Sequence, residues 1–208
     1  MRFHIIIPSI RTANPLFPLF EESLRASLTH EDTFIQVLDG SIGCTQALNL
    51  AMADIPPCDV IVKMDDDVLP PKGWQDEVVK ALRIADMGAV GIECDDEAYM
   101  GGGGELPCGK IGDQTFLFPS GNIGGCLFAF RYEVLPIICY VPIIAETKYQ
   151  YYEDGYRCMK LTQHRMACAY IRMDKKLSFV PYEDDPEYVA SKARDLETAR
   201  ALLHTIWD

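Results

Sequence analysis

The sequence has no apolar run of the roughly 18 residues that a membrane-spanning helix requires, so no span is expected. Histidine is scarce, at four residues, and none of the eight cysteines stands in a C-x-x-C pair. Cys44, Cys58, Cys94, Cys108, Cys126, Cys139, Cys158 and Cys168 are scattered, which argues against a zinc site. A chain of 208 residues needs no disulfide framework to hold a core. These cysteines read as reduced, small apolar side chains in a cytoplasmic setting. Basic residues are in the minority, with 19 Lys and Arg against 31 Asp and Glu and a net charge of −12. That balance opposes a protein whose main work is gripping nucleic-acid phosphates, so nucleic acid is not an expected partner. There is also no internal repeat, no low-complexity linker and no composition break, so residues 1–208 read as a single domain.

What is present is a 49% share of apolar residues, enough for a full-sized core. Met1 to Pro8 is too short for a secretory leader and reads as a first strand over Phe3–Ile7. Leu16, Leu19, Phe20, Leu24 and Leu28 are near helical spacing, which predicts a helix over 15–28. Strands are predicted over Thr33–Leu38, Asp59–Met64 and Gly88–Ile92, with helices over Thr45–Ala53 and Gly73–Ala85 between them. This alternation predicts an α/β fold with a mainly parallel sheet flanked by helices. Ligands bind such sheets at the carboxyl ends of the strands. Ser9-Ile10-Arg11, Asp39-Gly40-Ser41 and Asp65-Asp66-Asp67 would all lie along that edge.

The second half is less regular. Residues 93–121 carry Gly101–Gly104 in a row and read as a long connection, a lid or binding loop. A strand or helix start follows at Cys126–Phe130, then a helical stretch over Arg131–Leu135 ended by Pro136. A helix from Glu153 to Gln163, a strand over Met166–Met173 and a tail helix over 186–208 complete the reading.

Asp65-Asp66-Asp67 is the sharpest feature. Three successive carboxylates at the end of a buried strand repel one another unless they are solvated or share a cation. In an extended chain Asp65 and Asp67 face one side. Oxygen ligands of this kind suit a hard divalent ion that would in turn hold phosphates. The alternative is a solvated acidic turn before Pro70-Pro71.

The segment from Val60 through Asp65-Asp66-Asp67 to Pro70 resembles the D-x-D region of nucleotide-sugar glycosyltransferases of the GT-A fold, family 2 in particular. Ile5-Ile6-Ile7-Pro8-Ser9 is similar to that family's opening strand, and Asp39-Gly40-Ser41 to the D-x-S ending its second. Asn49 falls where an asparagine is common. Gly124-Gly125 through Arg131 and Tyr152-Glu153-Asp154 are similar to its glycine-to-arginine segment and its E-D motif. These elements occur in family order over roughly residues 3–175.

The resemblance implies a GT-A, Rossmann-like fold, with residues 1–92 as the nucleotide-binding half and 93–208 as the acceptor and catalytic half. It implies a metal-dependent inverting transferase moving a sugar from a nucleotide-sugar donor, a UDP-sugar, to a hydroxyl of a glycan or other acceptor. Asp154 would be the catalytic base, oriented by Glu153. Pro8, Ser9, Arg11, Asp39, Ser41, Lys63, Asp65, Asp66, Gly125 and Lys160 would serve the donor. Asp67, with Asp65, would hold Mn²⁺ or Mg²⁺. Many GT-A enzymes supply a late histidine to the metal, but here that neighbourhood reads Arg172-Met173-Asp174-Lys175-Lys176. Asp174 would substitute as a ligand, or Lys175 or Lys176 would contact the diphosphate. Two other classes stay open at this point: a nucleotidyltransferase of similar fold, and a non-catalytic module binding nucleotide-sugars or glycans. Against the first, the loop after the opening strand contains no glycine.

Overall fold

A computed structural model describes residues 1–95, 106–119, 122–124, 126–143 and 153–182, together with Pro186, Ala190, Arg194, Glu197 and Thr198. The chain begins β1 (Phe3–Ser9), α1 (Phe17–Ser27), β2 (Thr33–Asp39), α2 (Cys44–Ala53), β3 (Val60–Met64) and β4 (Val68–Leu69). It continues through α3 (Trp74–Leu82), β5 (Met87–Ile92), β6 (Cys108–Ile111), β7 (Gln114–Leu117) and β8 (Leu127–Arg131). Then come α4 (Leu135–Ile138), α5 (Glu153–Gln163), β9 (Ala167–Arg172) and β10 (Ser178–Phe179).

Eight strands form one sheet in the order β2-β1-β3-β8-β5-β9-β7-β6. β1 pairs in parallel with both β2 and β3, and β5 with β9. β8 runs against β3 and β5, and β7 against β9 and β6, so the other six strands share one direction. β1, β3 and β5 read as continuous apolar runs because helices cover both faces of the sheet. On one face, Trp74 of α3 packs edge-on to Phe3 and donates its indole N–H to Ser27 of α1. On the other, α2, α4 and α5 are tied together, with Arg157 reaching the Ile138 carbonyl and the Met52 sulfur.

Two local readings change. The 93–121 stretch contains the hairpin β6–β7, turned at Gly112 with φ +64°, where a long loop was expected. Its strands are short and its outer member β6 is mostly exposed, so little hydrophobic periodicity marks them. Arg131 ends β8, and a 3-10 turn over Tyr132–Val134 leads into α4. Pro136 opens that helix rather than ending one, since proline at the first turn gives up no helical hydrogen bond. Gly101–Gly104, the Tyr149–Tyr152 stretch, and the tail helix apart from its five described helical positions, lie outside the described residues. No helix among the described residues is long and apolar enough to cross a membrane.

Asn49 of α2 has a structural task. Its amide donates to the Val141 carbonyl at 2.7 Å and accepts from the Val141 N–H at 3.0 Å, pinning the chain after α4. Asn49→Ala strands both backbone groups and is expected to cost about 1–3 kcal/mol. That corresponds to a fall of roughly 2–4 °C in Tm per kcal/mol. Thermal denaturation checks it, and an unchanged Tm refutes it.

Candidate active site

The parallel register aligns the polar ends of the first strands. Ser9 ends β1 directly beside Asp39 at the end of β2, and β3 runs out into Asp65 next to them. Asp39 caps the 3-10 turn that follows, accepting the Ser41 N–H at 2.9 Å, and the Ser41 side chain together with that N–H holds its carboxyl below the usual range. Gly40 suits this close approach, because a Cβ would stand a tight 3.0 Å from the backbone carbon of Ser9. Pro8 is half-buried in β1, and Ser41 is exposed at the strand edge.

The three successive aspartates take three different environments. Asp66 is buried, accepting the Ser9 hydroxyl at one oxygen and the Arg11 guanidinium at the other, each at 2.5 Å. Burial raises its pKa against the pull of Arg11 and Ser9. Arg11 also lies 3.7 Å from Asp67 and stacks 4.9 Å from the centre of the Tyr182 ring. The Tyr182 hydroxyl donates to the Asp66 carbonyl. Behind the loop, the Val180 N–H donates to the Asp67 carbonyl and β10 pairs with β4. Asp66 is thereby an internal strut, while the side chains of Asp65 and Asp67 keep 38% and 26% exposure.

On the face of β3 shared by Lys63 and Asp65, a second group converges. Lys63 Nζ lies 2.6 Å from Asp65 Oδ1, 3.5 Å from Glu153 Oε1 and 4.0 Å from Asp154 Oδ1. Burial alone would favour the neutral amine, but the carboxylates of Asp65, Asp154 and Glu153 outweigh it and raise the Lys63 pKa well above normal. Glu153 and Asp154 open α5, where the helix dipole favours carboxylates. Glu153 is buried and accepts the Cys44 thiol at 3.4 Å, and its Oε2 has no hydrogen-bond partner among the described residues. Asp154 keeps 18% side-chain exposure. Burial pushes it up to about 7, opposed by Lys63 and reinforced by the carboxylates of Glu153 and Asp65. A carboxylate in that range is poised to take a proton near neutrality. Burial and Glu153 push the Cys44 thiol well above its normal range, so it is no nucleophile.

Other expected site residues stand apart from this convergence. Lys160 lies on α5 about 240° around the helix from Asp154, its ammonium 5.7 Å from the centre of the Tyr156 ring. Asp174 and Lys175 are exposed in the turn after β9. Lys176 is engaged by buried Glu93 at 2.9 Å, alongside Arg172 at 2.8 Å. Gly125 lies outside the described residues. Among the described residues, no three His, Cys, Asp or Glu side chains cluster as a ready-made metal cage. The turn at residues 66–67 departs from the extended chain that would set Asp65 and Asp67 on one side, but each carboxylate stays part-exposed, and hard cations are commonly held by one or two carboxylates together with substrate phosphates.

Sequence reasoning missed Tyr182, Cys44 and Arg157. Arg157 is buried one helical turn after Glu153, but it is held by the Ile138 carbonyl and the Met52 sulfur, distant partners that no local spacing signals. A cavity of about 390 Å³ lies at the opposite, amino end of β1–β3, between Phe3, His4, Phe34 and Pro56, away from these carboxylates.

No protein-family signature and no curated protein sequence matches the chain. Among solved structures, it is similar to a mannosyltransferase from Pyrobaculum calidifontis in complex with GDP-Man and Mn²⁺. The TM-score is 0.65 at 17% identity, covering 97% of this chain. The fold is GT-A. The chain spans 64% of that mannosyltransferase's length, and at this identity the likeness concerns the GT-A fold alone. Looser likenesses are to a Drosophila galactosyltransferase in complex with manganese, UDP-Gal and xylobiose, and to an inositol-1-phosphate CTP transferase from T. maritima. The first has a TM-score of 0.49 at 11% identity, covering 91% of this chain and 79% of that one. The second has a TM-score of 0.44 at 10% identity, covering 93% and 95%.

Proposed function

We propose that the protein is an inverting glycosyltransferase that moves a sugar from a nucleotide-sugar donor, a UDP-sugar, to an acceptor hydroxyl. One observation carries this reading. The acidic loop ending β3 and the carboxylate pair opening α5 meet around Lys63, joining a donor-side group to a proton acceptor. The mannosyltransferase bound to GDP-Man and Mn²⁺ supports a nucleotide-sugar for this fold.

In this reading residues 1–92 bind the nucleotide and 93–208 supply the base and the acceptor site. Pro8, Ser41 and Asp39 line the nucleoside pocket, with Asp39 accepting a ring N–H from the base. Arg11 and Ser9 hold Asp66 and so fix the loop at the diphosphate. Asp67 with Asp65, and Asp174 if its turn closes on them, would hold Mn²⁺ or Mg²⁺, which when bound neutralises charge on the leaving diphosphate. Asp154 accepts the acceptor's hydroxyl proton while that oxygen bonds to the anomeric carbon. The bond from that carbon to the diphosphate oxygen breaks on the opposite face, and the diphosphate leaves with the electron pair.

The test is thermal denaturation with UDP, GDP, UDP-glucose and GDP-mannose, each with MnCl₂ and with EDTA. Ligand at 100 times its Kd is expected to stabilise by about 2.7 kcal/mol. The Mn²⁺-dependent part of the shift is expected to vanish in Asp67→Ala. Unchanged melting with every nucleotide, metal present or absent, refutes the reading.

A further inference from the structure

β3 is apolar apart from one residue. Val60, Ile61, Val62 and Met64 are fully buried, and Lys63 is buried among them. A buried ammonium is costly unless carboxylates compensate it, and a methionine or leucine would fill that strand position without the cost. A structural explanation therefore does not account for a lysine here. Strand alternation puts Lys63 on the same side as Asp65, the carboxylate at the donor edge. α2 and α5 bring their amino ends to that side, so Cys44 and Glu153 meet above it. Lys63 thus touches one carboxylate from the first half of the chain and two from the second. The pair on α5 is unequal. Glu153 is enclosed and anchored by both Lys63 and Cys44, while Asp154 keeps an open side.

We propose that Lys63 is a positioning residue: its ammonium sets the Asp154 carboxylate against the donor edge and couples that placement to Asp65. This rests on the glycosyltransferase reading above. Lys63 holds Asp65 at full hydrogen-bond distance and Asp154 at 4.0 Å. A donor that engages Asp65 loosens its hold on Lys63 and leaves the ammonium to draw in Asp154. The base is then brought to its working position by the donor, before the acceptor arrives. Lys63 itself, with a side chain 4% exposed, acts through these carboxylates and not on the sugar.

The experiment compares wild type, Lys63→Met, Asp154→Asn and the double variant. It uses UDP-glucose and GDP-mannose with MnCl₂, water serving as acceptor. Two quantities are read: nucleoside diphosphate affinity by calorimetry, and the rate of nucleoside diphosphate release. Lys63→Met is expected to keep UDP or GDP affinity within about threefold while kcat falls about 10²–10⁴-fold, the range a general base commands. The double variant is expected to be no slower than Asp154→Asn, because residues acting as a unit are not additive. Wild-type turnover in Lys63→Met, or a further loss of about tenfold or more in the double variant, overturns the proposal. If Lys63→Met does not fold, Lys63→Arg decides. The guanidinium keeps the charge but not the geometry. It is expected to bind nucleotide and lose kcat, and full kcat overturns the proposal. A wild type that binds no nucleotide, or that binds it and releases no nucleoside diphosphate either with water or with a panel of sugar acceptors, overturns the glycosyltransferase reading itself. Loss of the Lys63 effect alone, in a wild type that turns over, leaves that reading standing.

Discussion

Asp154→Asn is expected to bind nucleotide like the wild type and to release nucleoside diphosphate about 10²–10⁴-fold more slowly. The amide keeps the side chain's shape beside Lys63 and removes its capacity to take a proton. The pH dependence follows from burial, which pushes Asp154 up to about 7. The base must be ionised, so the wild-type rate falls as pH drops through about 7, approaching tenfold per unit below it. The stability effect has the opposite sense. A carboxylate whose folded pKa is raised takes up a proton on folding, so its burial costs nothing below its ordinary pKa near 4 and costs most above about 7. Asp154→Asn removes that cost and is expected to melt higher than wild type at pH 8, with the gap closing toward pH 4. A variant within tenfold of wild-type rate, or a gap that widens as pH falls, contradicts this assignment.

Arg11→Met is expected to unfold the acidic loop rather than merely weaken a contact. Asp66 is 5% exposed and its charge is compensated by Arg11 at 2.5 Å, with Ser9 on the other oxygen. Removing one partner of a buried pair leaves the remaining charge stranded, at about 3–5 kcal/mol. For a chain of this size that lowers Tm by roughly 6–20 °C. The deficit is expected to shrink on acidification. Burial already raises the Asp66 pKa, and without Arg11 it rises further, so protonation relieves the strain. Asp66→Asn in the same background is expected to recover much of the loss. Calorimetric melting of wild type and the two variants between pH 5 and 8 decides it, and a pH-independent deficit points to lost packing of Arg11 on Tyr182 instead.

The sequence revealed the carboxyl edge of the first strands better than the rest of the molecule, for physical reasons. β1 and β3 are buried on both faces, so they stand out as apolar runs ending abruptly in polar residues. Their parallel pairing then aligns Ser9, Asp39 and Asp65 without any long-range information. The hairpin β6–β7 escaped because its strands are only four residues long and the outer one, β6, is mostly exposed, so they carry little apolar pattern. Pro136 was misread because proline both ends and begins helices, and only the preceding 3-10 turn shows which. The environment of Lys63 was invisible for another reason. Its partners Glu153 and Asp154 lie 90 or more residues away, and nothing local signals a lysine held inside a strand. Tyr182 was hidden likewise, 116 residues from the Asp66 carbonyl it supports.

That last contact has a consequence for how the protein is made. The acidic loop is synthesised early, yet the strand pairing and the tyrosine that brace it come more than a hundred residues later. A nascent chain that has delivered β1 through β5 has Ser9 and Arg11 to hold Asp66, but lacks β10 and Tyr182 behind the loop. The contacts that brace the loop from behind are complete only once residues 178–182 are present.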